Sequence, residues 1–229
     1  MPLPSVIAVD GPAGSGKSTV SYLLAERLGY VFIDTGVFYR ALTLVALRAG
    51  IAFDNTSALA DLPHRTMIDI HPEPDDDTRQ YSVWIDNREV TDELRAPAVE
   101  ANVSTLSAVP EVRHGLLDLQ RRIAAKGKII MAGRDIGTVV LPYADVKFYV
   151  DASLEERARR RYHQYHQQGK HVELAEIEAA LRQRDAVDTN RAISPLRRAE
   201  DAIYILTDDK TVDDVVDALV RHLELWKTA

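Results

Sequence analysis

Residues 11–18 have the types and the spacing that bind phosphate. They read Gly11-Pro12-Ala13-Gly14-Ser15-Gly16-Lys17-Ser18, a G-x-x-x-x-G-K-S pattern. Glycines let the backbone curl so that consecutive N–H groups point into one concavity, which suits anionic oxygen. In such a loop the lysine reaches the outer phosphates of a nucleoside triphosphate, and the serine hydroxyl is suited to bind Mg²⁺. The stretch therefore predicts a phosphate-binding loop for ATP, with Lys17 as its cation and Ser18 as a metal ligand.

The elements on either side of this loop support the same interpretation. An apolar run at residues 6–9 predicts a buried strand that leads into the loop. Val20, Leu24 and Leu28 recur at helical spacing until Gly29, so a helix should begin near Lys17. Thr19, in the first turn of this helix, is also expected to contact ATP. The alternative is a glycine-rich turn that binds nothing. The positive N-terminal end of the helix favours bound anions over that alternative.

Four further apolar runs predict the rest of a parallel sheet. They cover residues 30–33, 128–132, 146–150 and 202–206, and helical patterns separate them. Strands that alternate with helices indicate an α/β fold with right-handed crossovers. We therefore predict a P-loop NTPase core, in which a five-stranded parallel sheet is flanked by helices.

The stretch from residue 54 to residue 97 has a different character. It is rich in proline, and apolar and polar residues alternate at residues 67–70 and 81–85. This pattern predicts a small antiparallel insert, with a possible third strand within residues 86–90. The acidic run at residues 75–77 is expected to be a solvated loop tip, because three adjacent carboxylates cannot all face one ion.

Two helices and a charged segment follow the fourth core strand. Ser153 and Glu156 have the spacing of a capping box and open an arginine-rich helix. A second helix is predicted over residues 172–184. The Arg/Asp segment at residues 184–191 is expected to follow it.

Composition narrows the possible functions. The 229 residues include no cysteine, which excludes disulfides and thiolate metal sites, and the formal net charge is −7. That charge argues against general binding to nucleic acids or anionic membranes. No signal-peptide pattern opens the sequence and no apolar run is long enough to span a bilayer. We expect a cytoplasmic monomer whose partners are small molecules.

Arginines narrow the choice among proteins with a phosphate-binding loop. The sequence has no N-K-x-D motif of guanine-binding GTPases and no Asp-Glu pair that ends an apolar strand. An acceptor that is itself a phosphate would need cationic clamps, and arginine offers two-pronged ones. Two alternatives stay open: a kinase of a neutral alcohol, such as a shikimate-type enzyme, and a regulatory module that binds ATP without turnover. The arginines at strand ends and helix starts are Arg40, Arg113, Arg134, Arg157, Arg160, Arg161, Arg184 and Arg191.

Four stretches together resemble the bacterial cytidylate (CMP) kinase family, and the resemblance runs from the first strand to the last helix. It implies the fold of nucleoside monophosphate kinases and the reaction ATP + (d)CMP ⇌ ADP + (d)CDP with Mg²⁺. The stretches are Asp10 to Ser18, Asp34-Thr35-Gly36 with Tyr39-Arg40, Gly133-Arg134-Asp135-Ile136-Gly137 and its apolar continuation, and Arg184-Asp185 through Asp188, Asn190 and Arg191.

The resemblance also implies roles for individual residues. Arg40 and Arg134 would bind the acceptor phosphate, and Thr35 stands where the family often has serine, with the hydroxyl kept. Asp188 and Arg191 would hold the sugar and phosphate region, and Arg184 would face the transferred group. The residues expected to read the cytosine are Ser104, Arg113 and Asp135. The residues at the positions of the family's lid arginines are Arg157, Arg160 and Arg161, with Arg160 assigned to ATP binding and the other two to catalysis.

The same resemblance predicts a division of the chain. Residues 1–53, 98–152 and 189–229 would form the core, residues 54–97 the nucleotide-acceptor insert and residues 153–188 a mobile helical lid. Closure of such a lid would exclude water from the reacting phosphates.

Overall fold

The computed structural model describes residues 3–73 and 81–226 and divides into two compact units. Met1–Ile33 and Gly127–Ala229 form the first, which we call the core unit. Asp34–Lys126 form the second, which we call the middle unit. The acidic run at residues 75–77 lies outside the described residues.

The core unit contains the five-stranded parallel sheet that the sequence predicts. Its strands are β1 (Val6–Asp10), β2 (Val31–Asp34), β6 (Ile129–Gly133), β7 (Val146–Asp151) and β8 (Ile203–Leu206). Their spatial order is β2-β6-β1-β7-β8, which places the loop-bearing strand β1 at the centre. The register pairs Asp10 with Gly133 and with Tyr149. The carboxyl ends of the three central strands are therefore level with one another.

Apolar packing of two helices on this sheet forms the main core. Helix α1 (Lys17–Leu28) contributes Val20 and Leu24, and helix α9 (Val212–Trp226) contributes Val216 and Leu219. All four side chains are almost fully buried. Because β1, β6 and β7 bury nearly all of their residues on both faces, the sheet lies between helices, as is typical of parallel sheets. Burial of these faces is what holds the loop-bearing strand rigid.

Two long helices of the core unit follow β7. They are α7 (Leu154–Gln167) and α8 (Leu174–Asn190). The prediction that α8 ends at residue 184 is wrong, because the helix continues through the Arg/Asp segment to Asn190. That segment contains neither glycine nor proline, and extended backbone begins only at Arg191, four residues before Pro195.

The predicted capping box at the start of α7 forms only in part. The Ser153 hydroxyl accepts the Glu156 N–H, as expected for an N-cap. The Ser153 N–H instead donates to Asp208, and the Glu156 carboxylate accepts from Arg159 and Arg160. The second hydrogen bond of a capping box, from the Ser153 N–H to Glu156, is thus replaced, because Asp208 takes the donor and two arginines take the acceptor.

The middle unit consists of helices and a small antiparallel sheet. Strands β3 (Ile68–Pro72), β4 (Tyr81–Ile85) and β5 (Arg88–Glu89) lie in that order, with Ile68 opposite Ile85. This confirms the predicted insert and its third strand. The turn from β4 to β5 is made by two residues with positive φ, Asp86 and Asn87, which are residue types that tolerate this conformation.

Five helices and one 3₁₀ turn complete the described part of the middle unit. Helix α2 contacts α5, and α6 contacts the two short helices α3 and α4. Helices α2, α5 and α6 confirm the helical patterns that the sequence places between the second and third core strands. Their bounds are α2 Gly36–Arg48, α3 Thr56–Ala60, α4 Leu62–Arg65, the 3₁₀ turn Thr91–Arg95, α5 Pro97–Ser107 and α6 Pro110–Ala124.

The compact units do not follow the boundaries predicted from the family resemblance. Residues 34–53 and 98–126, predicted to belong to the core, fall in the middle unit, together with the insert at residues 54–97. The functional division into core, acceptor insert and lid stays a prediction, since it concerns motion on binding substrates.

Replacing Leu24 by alanine should strongly destabilise the core unit. Leu24 is fully buried between α1 and the sheet, so the substitution removes apolar contacts and leaves a cavity, at a cost of about 2–5 kcal/mol. Urea denaturation measures this cost. Leu225→Ala is the matched control, because Leu225 is 65% exposed and should change the free energy of unfolding by less than about 0.5 kcal/mol. Equal effects of the two substitutions would contradict this packing.

Candidate functional site

The phosphate-binding loop is shaped by the close approach of neighbouring backbone. A Cβ atom on Gly11 would lie 2.0 Å from the Val150 carbonyl oxygen, so any larger residue would push the loop away from β7. Gly14 and Gly16 adopt φ values of 79° and 86°, which L side chains rarely adopt. The two positive φ values turn the chain into the N-terminus of α1. The glycine pattern of the sequence is thus explained by this turn.

Lys17 and Ser18 stand at the first two positions of α1. The Lys17 side chain is buried, and its ammonium donates to the Pro12 carbonyl oxygen at 3.1 Å across the loop. This contact holds the cation over the concavity formed by the loop. The helix N-terminus adds the N–H groups of its first turn and the positive end of the helix dipole. The arrangement can bind and neutralise the phosphates of a nucleotide.

A divalent cation fits this loop only together with a bound nucleotide. Mg²⁺ in phosphate-transfer sites is bound by one or two protein ligands, phosphate oxygens and water. The Ser18 hydroxyl, at a half-buried position, can supply one such ligand. Within residues 3–73 and 81–226, no group of three or more His, Cys, Asp or Glu side chains could hold a metal ion. The donor set therefore suits a magnesium ion that is shared with phosphate.

Asp10, directly before the loop, ties β1 to the turn that follows β6. Its two carboxylate oxygens accept the N–H groups of Ile136 and Gly137 at 2.8 and 2.7 Å. Burial raises the pKa of Asp10 to about 6, and these two donors and Lys17 limit the rise. The turn it holds is a π-helical turn over Ile136–Val140, which the sequence did not predict. Asp10 thereby determines where the two residues just before the turn, 134 and 135, leave the sheet.

Four of the residues assigned to the acceptor from the resemblance form one charge network in the core unit. Arg134 Nε lies 2.8 Å from Asp188 Oδ2, and Arg191 lies 3.6 Å from Asp188 and 3.8 Å from Asp135. Asp135 and Asp188 are buried. Although burial opposes it, pairing with Arg134 and Arg191 holds the pKa of Asp188 below its usual range. Both side chains are thus placed to accept hydrogen bonds from N–H groups.

Arg157, on α7, connects the phosphate-binding loop to α8. Its guanidinium is buried and donates to the carbonyl oxygens of Ala152 and Ala13, while Nη2 lies 2.7 Å from an Asp185 carboxylate oxygen. Each of its three nitrogens thus has a partner within the protein. A direct contact of Arg157 with a phosphate would require one of these partners to be replaced.

Arg160 has a comparable position and Arg161 a different one. Arg160 donates to the Ser15 carbonyl oxygen of the loop, to Thr207 after β8 and to Glu156. Arg161 Nη1 donates to Gln164, and its guanidinium lies over the Tyr165 ring at 5.4 Å. Arg160 therefore connects the loop to the end of β8, whereas Arg161 contacts only exposed or half-buried side chains of its own helix among the contacts described.

Four residues assigned to the acceptor lie in the middle unit. Arg40, on α2, pairs with Glu100 and donates to the Leu94 carbonyl oxygen. Thr35 is the buried residue before α2. Arg113, on α6, is buried, donates to the Ser107 carbonyl oxygen and lies over the Tyr39 ring at 5.1 Å. Ser104 is half-buried on α5. The aromatic face and the helix positions orient Arg113 within this unit.

Comparison with known proteins decides the family. The family model for cytidylate kinase matches residues 7–225 of this chain. The chain belongs to the cytidylate kinase family. The cytidylate kinase of Symbiobacterium thermophilum is 49% identical over 217 residues, which are 95% of each chain. That of Geobacter sulfurreducens is 46% identical over 222 residues, covering 96% of this chain and 94% of the relative.

A solved structure supports the fold. The uncharacterized protein from Eubacterium ventriosum aligns with a TM-score of 0.52 at 12% identity, and the alignment covers 96% of this chain and 98% of that one. At this identity the likeness concerns the fold alone. Among the described residues, no helix combines the length and the apolar character needed to cross a membrane.

Several residues around the cytidylate kinase motifs escaped the sequence reasoning. The sequence alone assigns no role to Asp10 and does not pair Asp185, Thr207 or Glu100 with the arginines that they bind. Asp10 is nevertheless recognisable from the sequence as a candidate for a role at the site, because its carboxylate lies between an apolar strand and the phosphate-binding loop. The other three are distant in sequence from the groups they bind, so no local pattern marks them.

The ionisation of Asp10 should make the unfolding free energy depend on pH. The folded protein holds the Asp10 proton up to a pKa of about 6, against 3.8 as the ordinary value. The stabilisation is therefore complete below the ordinary pKa and is lost as the pH rises through 6, by about 3 kcal/mol at most. In urea denaturation, the free energy of unfolding of the wild type should exceed that of Asp10→Asn by more at pH 4 than at pH 7. A titration of the Asp10 carboxyl by ¹³C NMR with a midpoint near 4 would contradict this prediction.

Proposed function

We propose that this protein transfers the γ-phosphoryl group of ATP to CMP or dCMP and thereby forms CDP or dCDP. The observation that carries the proposal is the register of β1 and β6. Because Asp10 pairs with Gly133, the phosphate-binding loop and the Arg134-Asp135 pair leave the same edge of the sheet on neighbouring strands. A donor phosphate site and residues suited to an acceptor nucleotide are thus adjacent within one unit.

The donor is ATP, bound by residues 11–19. The backbone N–H groups of the loop and the Lys17 ammonium bind the β- and γ-phosphates, and Arg160 supports the loop at Ser15. Ser18 would hold Mg²⁺, which when bound neutralises phosphate charge and orients the transferred group. Thr19, in the first turn of α1, is the last of the residues that we assign to ATP binding.

The acceptor is a cytidine monophosphate. In the core unit, Arg134 binds its phosphate, Asp188 and Arg191 hold the sugar and phosphate region, and Asp135 accepts a hydrogen bond from the exocyclic amino group of cytosine. For the middle unit, the family resemblance assigns Arg40 to the acceptor phosphate, Thr35 to substrate binding, and Arg113 and Ser104 to the base. The network around Asp188 supports these roles, because ion pairs within the protein hold the two arginines in place.

Transfer itself needs positioning and charge neutralisation more than covalent chemistry. Negative charge spreads over the equatorial oxygens in the transition state, and Lys17, Arg134, Arg161 and Arg184 can neutralise it. Arg157 contributes by holding the loop through Ala13 while Asp185 anchors it to α8. A phosphate oxygen is already nucleophilic at neutral pH, so no general base is needed.

The prediction that follows directly is that the chain phosphorylates CMP and dCMP in the presence of ATP and Mg²⁺. A coupled assay of ADP formation with a panel of acceptors (CMP, dCMP, UMP, AMP, GMP and shikimate) tests it. Lys17→Ala should abolish turnover and leave the circular dichroism spectrum unchanged, because only the cation over the loop is removed. Turnover of shikimate but not of CMP would favour an alcohol kinase, and ATP binding without any turnover would favour a regulatory module.

Base selectivity should depend on Asp135. Cytosine presents an amino donor to the carboxylate, whereas uracil presents an oxygen, and an unmatched buried hydrogen bond costs about 1–3 kcal/mol. We expect kcat/KM for UMP to be lower than that for CMP by about one to three orders of magnitude. Asp135→Ala should reduce both activity and this preference. Asp135→Asn, whose amide can donate to the uracil O4, should narrow the preference more selectively. Full discrimination in both variants would show that another residue reads the base.

The expectations of a cytoplasmic, monomeric enzyme without a nucleic-acid or membrane partner stay predictions. The mobile lid over residues 153–188 also stays a prediction. Both agree with an enzyme whose substrates are two small nucleotides.

A further inference from the structure

Within the middle unit, the Arg40 guanidinium binds the Glu100 carboxylate in a two-pronged contact. Nη1 lies 2.6 Å from Oε1, and Nη2 lies 3.3 Å from Oε2. The Leu94 carbonyl oxygen accepts a further, longer bond from Nη1 at 3.3 Å. The Arg40 and Glu100 side chains are 24% and 42% exposed, so solvent reaches the pair.

A carboxylate and a phosphate group present the same feature to arginine. Each offers two anionic oxygens that match the planar pair of Nη groups. In this structure Glu100 occupies that edge of Arg40. A phosphate that binds the same edge must displace the carboxylate, and one that binds beside it meets the negative charge of Glu100.

We propose that Glu100 is an internal competitor for the acceptor phosphate, which occupies the Nη edge of Arg40 until CMP displaces it and thereby weakens the binding of CMP. The inference rests on the proposed function, in which Arg40 binds the acceptor phosphate. It assigns a role in acceptor affinity to a residue that takes no part in the transfer.

Two features make the displacement feasible. Exposed ion pairs contribute little to stability, so a phosphate dianion can compete with a single carboxylate. Glu100 also lies in the first turn of α5, where the positive end of the helix dipole favours a negative charge. A released Glu100 side chain therefore moves into solvent without losing a favourable position.

A second ion pair of the middle unit provides a matched control. Glu93 accepts from Arg48 Nη2 at 2.6 Å, and its side chain is 42% exposed, the same fraction as Glu100. Glu93 and Arg48 belong to neither the proposed donor site nor the proposed acceptor site. Glu93→Gln thus removes the surface ion pairs with Arg48 and Arg88 and leaves the partners of Arg40 in place.

The test measures steady-state kinetics with CMP at saturating ATP for the wild type, Glu100→Gln and Glu93→Gln. Glu100→Gln should lower KM for CMP by about two- to fivefold, the effect of an exposed ion pair, with kcat changed by less than about twofold. The inhibition constant of cytidine, which lacks the phosphate, should not change. Glu93→Gln should match the wild type, and Glu100→Ala should shift KM in the same direction as Glu100→Gln.

Three results would overturn the inference. An unchanged KM would show that Glu100 does not compete, and a raised KM would show that it orients Arg40 productively instead. A parallel gain in cytidine affinity would show that the effect does not concern the phosphate. If the wild type itself fails to phosphorylate CMP, the proposed function fails. Calorimetric binding of CMP and cytidine to the same variants would then still decide the role of Glu100.

Discussion

The buried contact between Asp10 and the turn after β6 is the constraint on which the rest of the core unit depends. One carboxylate satisfies two backbone N–H groups that lie 126 and 127 residues further along the chain. Without it, the π-helical turn would leave both donors buried and unpaired, at a cost of about 1–3 kcal/mol each. Because the residue before the phosphate-binding loop makes this contact, the loop and the Arg134-Asp135 pair are held as one rigid edge.

Three of the arginines that we propose to act on phosphate groups are paired with carboxylates. Arg134 pairs with Asp188 and Arg157 with Asp185 in the core unit, and Arg40 pairs with Glu100 in the middle unit. The burial of the carboxylates separates their roles. The two pairs of the core unit are largely buried, so they keep their arginines in place. The exposed pair in the middle unit is the one that we propose the acceptor phosphate displaces.

Most of the fold could be predicted from the sequence, because regularly spaced apolar residues mark the strands and helices that have a buried apolar face. The five core strands, the antiparallel insert and the loop–helix junction at Lys17 were each readable in this way. The end of α8 was not, since charged residues in a helix carry no apolar signal. The arginines could be listed, but their partners could not. Whether Arg157 faces a ligand or the Ala13 carbonyl depends on tertiary contacts between residues far apart in the chain.

The order of the two units along the chain has a consequence for folding during synthesis. The middle unit is one uninterrupted segment, Asp34–Lys126, so all of its contacts become available while the second half of the chain is still being made. The central strand β1 must wait for β6 and β7, which begin at residues 129 and 146. Contacts this distant in sequence form slowly. The phosphate-binding loop is therefore synthesised before the middle unit, but it reaches its native surroundings only after that unit is complete.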